Sequence, residues 1–228
     1  MQPSTPGKWR RNPKVLVCLA LGCLVTLSSC SLVHPGNVAT KESVPQKSAS
    51  AGLPPGVHIV DAAAVEQESQ RMVATLGRGG HESIVASDEG YYLDVLQGRL
   101  QQAVGGRVDI RRDGQTISLE ILGRMTTDTS GARLDPVTED ILTQFGRVLV
   151  EYHATVVTVQ VLAASATDAE PSSAAPIVVR RLVQEGAASM HLLLVAPGPA
   201  RADKPKSASS TDIRIAFKIQ PIPRTQRQ

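Results

Sequence analysis

The chain has 228 residues, 24 of them Lys or Arg and 21 Asp or Glu, with a net charge of +3; 42% of its residues are hydrophobic and 3% aromatic. Four of the cations (Lys8, Arg10, Arg11 and Lys14) fall in an opening stretch without acidic residues, and beyond it 20 basic side chains face 21 acidic ones. The main body is therefore close to neutral, which removes the electrostatic case for a nucleic-acid partner.

The four cations precede an apolar run over residues 15–27, too short to cross a bilayer comfortably. A basic stretch followed by a short apolar one has the form of a targeting signal and is set aside from the fold. It ends in Leu27-Ser28-Ser29-Cys30, which resembles the lipobox read by lipoprotein signal peptidase. That resemblance implies a signal peptide over 1–29, cleavage before Cys30, and acylation of its thiol and new amine with palmitate-type chains. The alternative is an ordinary secretory leader with an incidental cysteine. Ser31 follows, where the lipoprotein sorting rule implies export to the periplasmic face of the outer membrane. Cys18 and Cys23 lie in the leader, so no cysteine remains for a disulfide or a metal site.

Residues 30–57 are polar and rich in Pro, Ser and Lys, and read as a flexible tether from the anchor. Residues 58–88 read as a helix and a loop. The helix over 60–76 carries Ala62, Ala63, Ala64, Val65, Met72, Val73 and Leu76, and is expected to dock in part on the domain that begins at Glu89.

From Glu89 an amphipathic run places Leu93, Leu96, Leu100, Ala103 and Val104 at helical spacing, with Gly105-Gly106 to stop it. Two β-rich runs, 108–112 and 116–122, flank Asp113-Gly114 and predict a hairpin. Residues 126–132 read as a polar loop. Asp135 then caps a helix that begins at Pro136, with Val137, Ile141, Leu142, Phe145, Val148, Leu149 and Tyr152 along its apolar face. Residues 155–162, largely β-branched, read as a buried strand. Residues 176–185 fit a helix ended by Gly186, although Ile177-Val178-Val179 keeps a strand in play. Strands follow over 190–195 and 212–219, the second alternating Ile213, Ile215, Phe217 and Ile219. The tail over 221–228 reads as loose. The fold class is α+β, a two-layer α/β sandwich with a mixed sheet and two or three packed helices.

The serial order Gly90-Tyr91-Tyr92, Leu96, Leu100, Val108, Arg112-Asp113-Gly114, Ile117, Leu119, Ser130-Gly131-Ala132, Leu134 and Pro136 resembles the OmpA-like C-terminal domain, in the version carried by bacterial outer-membrane lipoproteins. The resemblance spans 89–158, fades afterwards, and implies an OmpA-like domain over 89–222 followed by a tail over 223–228. A typical member has Gly-His-Thr-Asp at the strand end and an arginine early in the next helix. Its aspartate and arginine grip the amine and carboxylate of peptidoglycan diaminopimelate, a pairing that needs both charges. Here Thr167 and Asp168 supply the Thr-Asp half, while the arginine slot falls near Ala174. Arg180 and Arg181 lie about two turns further along. They are candidate replacements or a solvated helix face, as Asp168 is a ligand or a loop-tip carboxylate in water. The basic pair that often precedes the last strand is replaced by Thr211-Asp212.

The five histidines are scattered without metal-ligand spacing, and there is no nucleophile elbow, phosphate loop or glycine fingerprint. Glu151-Tyr152-His153, at a helix end, reads as a cap. The sequence points to a non-enzymatic protein without a cofactor, and to two functions of different class. One is an assembly subunit of an envelope complex, such as a secretion-system core, with a degenerate sugar-peptide site. The other is a peptidoglycan-binding lipoprotein that tethers the outer membrane to the wall.

Overall fold

The computed structural model describes residues 52–79, 82–128, 131–164, 173–196 and 209–225. The chain divides into two units, Met1–Val44 and Pro45–Gln228, and all described residues lie in the second. Cys30, Thr167 and Asp168 lie outside the described residues.

The elements in order are β1 (His58–Val60), α1 (Val65–Gly79), α2 (Glu89–Val104), β2 (Asp109–Asp113), β3 (Thr116–Asp128), β4 (Gly131–Leu134), α3 (Pro136–Glu151), β5 (Thr155–Ala163), α4 (Ala174–Gln184), β6 (Leu192–Val195) and β7 (Ser209–Pro221). Short 3-10 turns precede α2 and β6. The strands form one mixed sheet in the order β1-β6-β5-β7-β3-β2, with β4 also paired to β3. β1, β6 and β5 run parallel, and β7 runs antiparallel between β5 and β3. The class is α+β, as the sequence pattern requires.

The alternation of β7 decides which side is the core. Ile213, Ile215, Phe217 and Ile219 are all buried and face the same way as Ile117, Leu119 and Ile121 of β3 and Val157, Val159 and Val161 of β5. Three helices cover that face. α2 brings Leu93, Leu96, Leu100 and Val104, and α4 brings Val178, Val179 and Leu182. α3 lies between them and supplies Phe145, whose ring sits 4.7 Å from that of Phe217. Fully burying such an aliphatic or aromatic side chain contributes roughly 1.5–3 kcal/mol. The start of α3 is as expected: the Asp135 carboxylate accepts from the Val137 and Thr138 backbone N–H groups, with Pro136 in the first turn.

The structure corrects several expectations. The described residues of the run over 126–132 are strand rather than loop: β3 continues to Asp128 and pairs with β4 from Met125↔Leu134 to Asp128↔Gly131. Cross-strand pairing with β7, out to Thr127↔Ser209, holds these polar residues extended. The β2–β3 turn is Gly114-Gln115 rather than Asp113-Gly114, since Asp113 and Thr116 are partners and Gly114 has φ +56°. Residues 176–185 are helical, within α4, and Gly186 at φ +102° ends it.

The segment before the domain also differs. The helix expected over 60–76 is present but shifted: it starts at Val65 and runs to Gly79, while Val60 closes a short strand, β1. α1 does not lie with the other helices. With Val60, its Met72 covers Val156, Leu193 and Ile222 on the reverse face of the sheet, so the sandwich gains a partial third layer. Leu53 and Val57, expected in the tether, pack on the main core. Nor is the tail loose from 221: Ile222 is buried, and the Arg224 and Thr225 N–H groups donate to the Ile84 and Gly77 carbonyls.

Candidate functional site

One end of the sandwich gathers the C-terminus of β5, the β3–β4 hairpin, the start of β7 and the N-termini of α3 and α4. The positive ends of two helix dipoles lie there, a setting that favours anionic groups. A depression of about 480 Å³ is lined by Leu122, Gly123, Arg124, Asp135, Ala164, Asp212 and Ile213. The segment carrying Thr167 and Asp168 continues from Ala164.

Asp135 and Asp212 are the acids that line this depression, and the oxygens of Asp135 are already engaged. Besides the two cap bonds, it accepts from the Arg124 backbone N–H at 2.9 Å and from the Thr138 hydroxyl. Burial pushes its carboxyl upward, but the donors, led by the Thr138 hydroxyl and the Arg124 N–H, together hold it below the usual carboxylate range. The Arg124 guanidinium is 3.1 Å from the Asp212 carboxylate, its cross-strand neighbour on β7. Asp212 therefore takes up the charge of Arg124. No local pattern marks Arg124, because its link to Asp212 depends on the β3–β7 register.

Ala174, near which the sequence resemblance puts the arginine slot, is the first residue of α4 and is fully buried. Arg180 and Arg181 lie six and seven residues further along, roughly 9–10 Å up the helix axis. They point to different partners. Arg180 Nη2 donates to the Gly52 carbonyl at 2.8 Å. Arg181 donates twice to the Thr143 hydroxyl of α3, at 3.1 and 2.7 Å, and lies 3.6 Å from Glu185. Thr143 in turn donates to the Glu139 carbonyl at 2.8 Å. Both arginines thus join α4 to its neighbours, one to the chain before β1 and one to α3.

The cluster at 151–153 is a junction between elements. Glu151 receives the Arg99 guanidinium of α2 at 2.9 and 3.1 Å, and Tyr152 meets Tyr92 edge-on with centroids 5.6 Å apart. The cap at Tyr152 is made by its backbone N–H on the Val148 carbonyl. Among the described residues no group of three or more His, Cys, Asp and Glu side chains is placed to hold a metal ion.

No family model matches the chain. In sequence it is 38% identical over 71 residues to the probable lipoprotein YiaD of Escherichia coli (strain K12), over 31% of this chain and 32% of the relative. The match thus spans about a third of that relative's length. Three solved structures are similar at low identity. A MotB-like protein from Desulfovibrio vulgaris gives a TM-score of 0.41 at 15% identity, over 59% of this chain and 95% of its own. The periplasmic domain of Helicobacter pylori MotB gives 0.36 at 11%, over 54% and 83%. The OmpA-like domain of FopA1 from Francisella tularensis gives 0.33 at 12%, over 52% and 83%. By its own residues and by its relative, the chain resembles a bacterial lipoprotein that carries an OmpA-like domain.

Proposed function

We propose that the protein is an envelope lipoprotein, anchored through Cys30 to the periplasmic face of the outer membrane, whose OmpA-like domain serves as a non-enzymatic assembly subunit. A secretion-system core is the kind of complex it would join. The observation that carries this reading is the engagement of both candidate arginines. Ala174, near which the resemblance puts the arginine, is buried, and the two candidate replacements, Arg180 and Arg181, each already bond within the fold. Asp168 alone would leave a ligand carboxylate unpaired, which costs about 1–3 kcal/mol. A loss of that size is about tenfold to a hundredfold in affinity.

A second reading, a peptidoglycan-binding tether, is favoured by one feature: the Thr167-Asp168 pair retained in the segment after β5. Cross-linking in intact cells followed by mass spectrometry separates the two. An assembly subunit gives reproducible protein–protein cross-links to envelope components. Cross-links to muropeptides without protein partners would contradict that role.

A further inference from the structure

The chain holds three tyrosines, and all three line one depression of about 280 Å³. Asp88, Tyr91, Tyr92 and Val95 follow one another at helical spacing and form one of its walls. This stripe of α2 and the turn before it is distinct from Leu93, Leu96, Leu100 and Val104, which are buried in the main core. The other walls are Tyr152, at the end of α3, and Ile84 and Val85, between α1 and α2. Ile84 is fixed through both of its backbone groups. Its N–H donates to the Ile222 carbonyl at 2.9 Å, and its carbonyl accepts from the Arg224 N–H at 2.7 Å. The depression is therefore built into the fold. Drug-sized ligands take roughly 300–1,000 Å³, so this one has room for a small head group.

Its walls offer aromatic surface and one negative charge. The rings of Tyr92 and Tyr152 stand 5.6 Å apart with their planes at 66°, which makes a two-sided corner. The Tyr92 hydroxyl is buried, so what this side chain presents is its ring. Tyr91 is 76% exposed, a large ring held in water where Lys, Glu or Gln would serve the helix better. Asp88 brings the charge; its Oδ1 accepts from the Ser87 hydroxyl at 3.0 Å, a contact that leaves the charge in place. α3 ends at this corner and adds the negative end of its dipole, while Asp88 offsets the positive end of α2.

We propose that this depression binds a quaternary ammonium group, held against the tyrosine rings with the Asp88 carboxylate as its counter-charge. A primary ammonium brings three N–H donors that need acceptors, whereas the walls beside Asp88 are rings and aliphatic side chains. A trimethylated nitrogen has no donor to satisfy and is attracted to the faces of aromatic rings. A short aliphatic stem would run along Val85 and Val95. The group can come from a free choline-type solute or from the phosphocholine head of a lipid, and its chemistry is the same.

The test follows the tyrosine ring resonances of the full-length protein by NMR during titration. The ligands are choline, glycerophosphocholine, and 3,3-dimethylbutan-1-ol, in which carbon replaces the charged nitrogen. Choline should bind at roughly millimolar concentration and about tenfold or more tighter than the alcohol. The tighter of the two ammonium ligands identifies the source. Asp88→Asn and Tyr91→Leu should each weaken choline binding about three- to tenfold. Tyr91→Phe keeps the ring and should bind as the wild type does. Both Tyr91 variants should melt with the wild type, since the side chain is largely in water. No shift of the tyrosine resonances at about 0.1 M choline, far above the expected range, would overturn the proposal. Equal binding of the alcohol would overturn it as well, because the hollow would then ignore charge. So would choline binding that is unchanged in both Asp88→Asn and Tyr91→Leu.

Discussion

Replacing Phe145 with alanine tests the central packing. The ring is fully buried on α3 and meets Phe217 of the central strand β7 at 4.7 Å with a 54° tilt. Its loss removes the transfer energy of a benzyl group and leaves a cavity among Leu and Val side chains that cannot close completely. Such truncations cost about 3–5 kcal/mol. Within that, the ring pair should account for about 0.5–1.5 kcal/mol beyond burial. Urea denaturation of the wild type, Phe145→Ala, Phe217→Leu and the double variant would give both numbers, the second as the coupling in a double-mutant cycle. A loss below about 1 kcal/mol for Phe145→Ala, far under the expected cost, would mean that α3 does not present this face to the sheet.

Further expectations concern the cap, the boundaries and the anchor. Asp135→Ala should cost about 0.5–2 kcal/mol. Because the folded carboxyl lies below its ordinary value, its contribution is full above the unfolded-state value and is lost as pH falls through the folded one. Asp135→Asn keeps an acceptor oxygen without the charge, so it should flatten the acid limb of the stability–pH profile measured by thermal denaturation. A fragment over 52–225 should melt cooperatively. One over 88–222 should melt at a lower temperature and bind a hydrophobic dye, because Val156, Leu193 and Ile222 lose the cover of Val60 and Met72. Cys30→Ser should abolish lipid modification at the mature N-terminus, read by mass spectrometry; an unmodified first residue other than Cys30 in the wild type would contradict the anchor.

Elements that depend on near neighbours were legible in the sequence. Asp135-Pro136 followed by apolar residues at helical spacing marks α3 without help from the rest of the chain. The alternation from Ile213 to Ile219 likewise marks β7. The β3–β4 hairpin was hidden because Thr126, Thr127, Asp128 and Gly131 have turn chemistry, and only pairing to β7 and β4 extends them. β1 is three residues long, too short for a period, and exists through its parallel pairing to β6. α1 has a clear apolar stripe, but nothing local says which face of the sheet it covers. The same limit holds for the site. The shift of arginine away from the helix start could be counted, whereas the partners of Arg180 and Arg181 lie 128 and 38 residues away.

Sedimentation of the detergent-solubilised full-length protein with purified peptidoglycan addresses the assembly-subunit reading most directly, with Asp168→Ala, Arg180→Ala and Arg181→Ala run beside the wild type. The account predicts little wild-type protein in the pellet and no further change in any variant, since the two arginines serve the fold. Strong pelleting of the wild type, lost in Asp168→Ala and in either arginine variant while their melting temperatures hold, would contradict it and restore a paired-charge site for the cell wall.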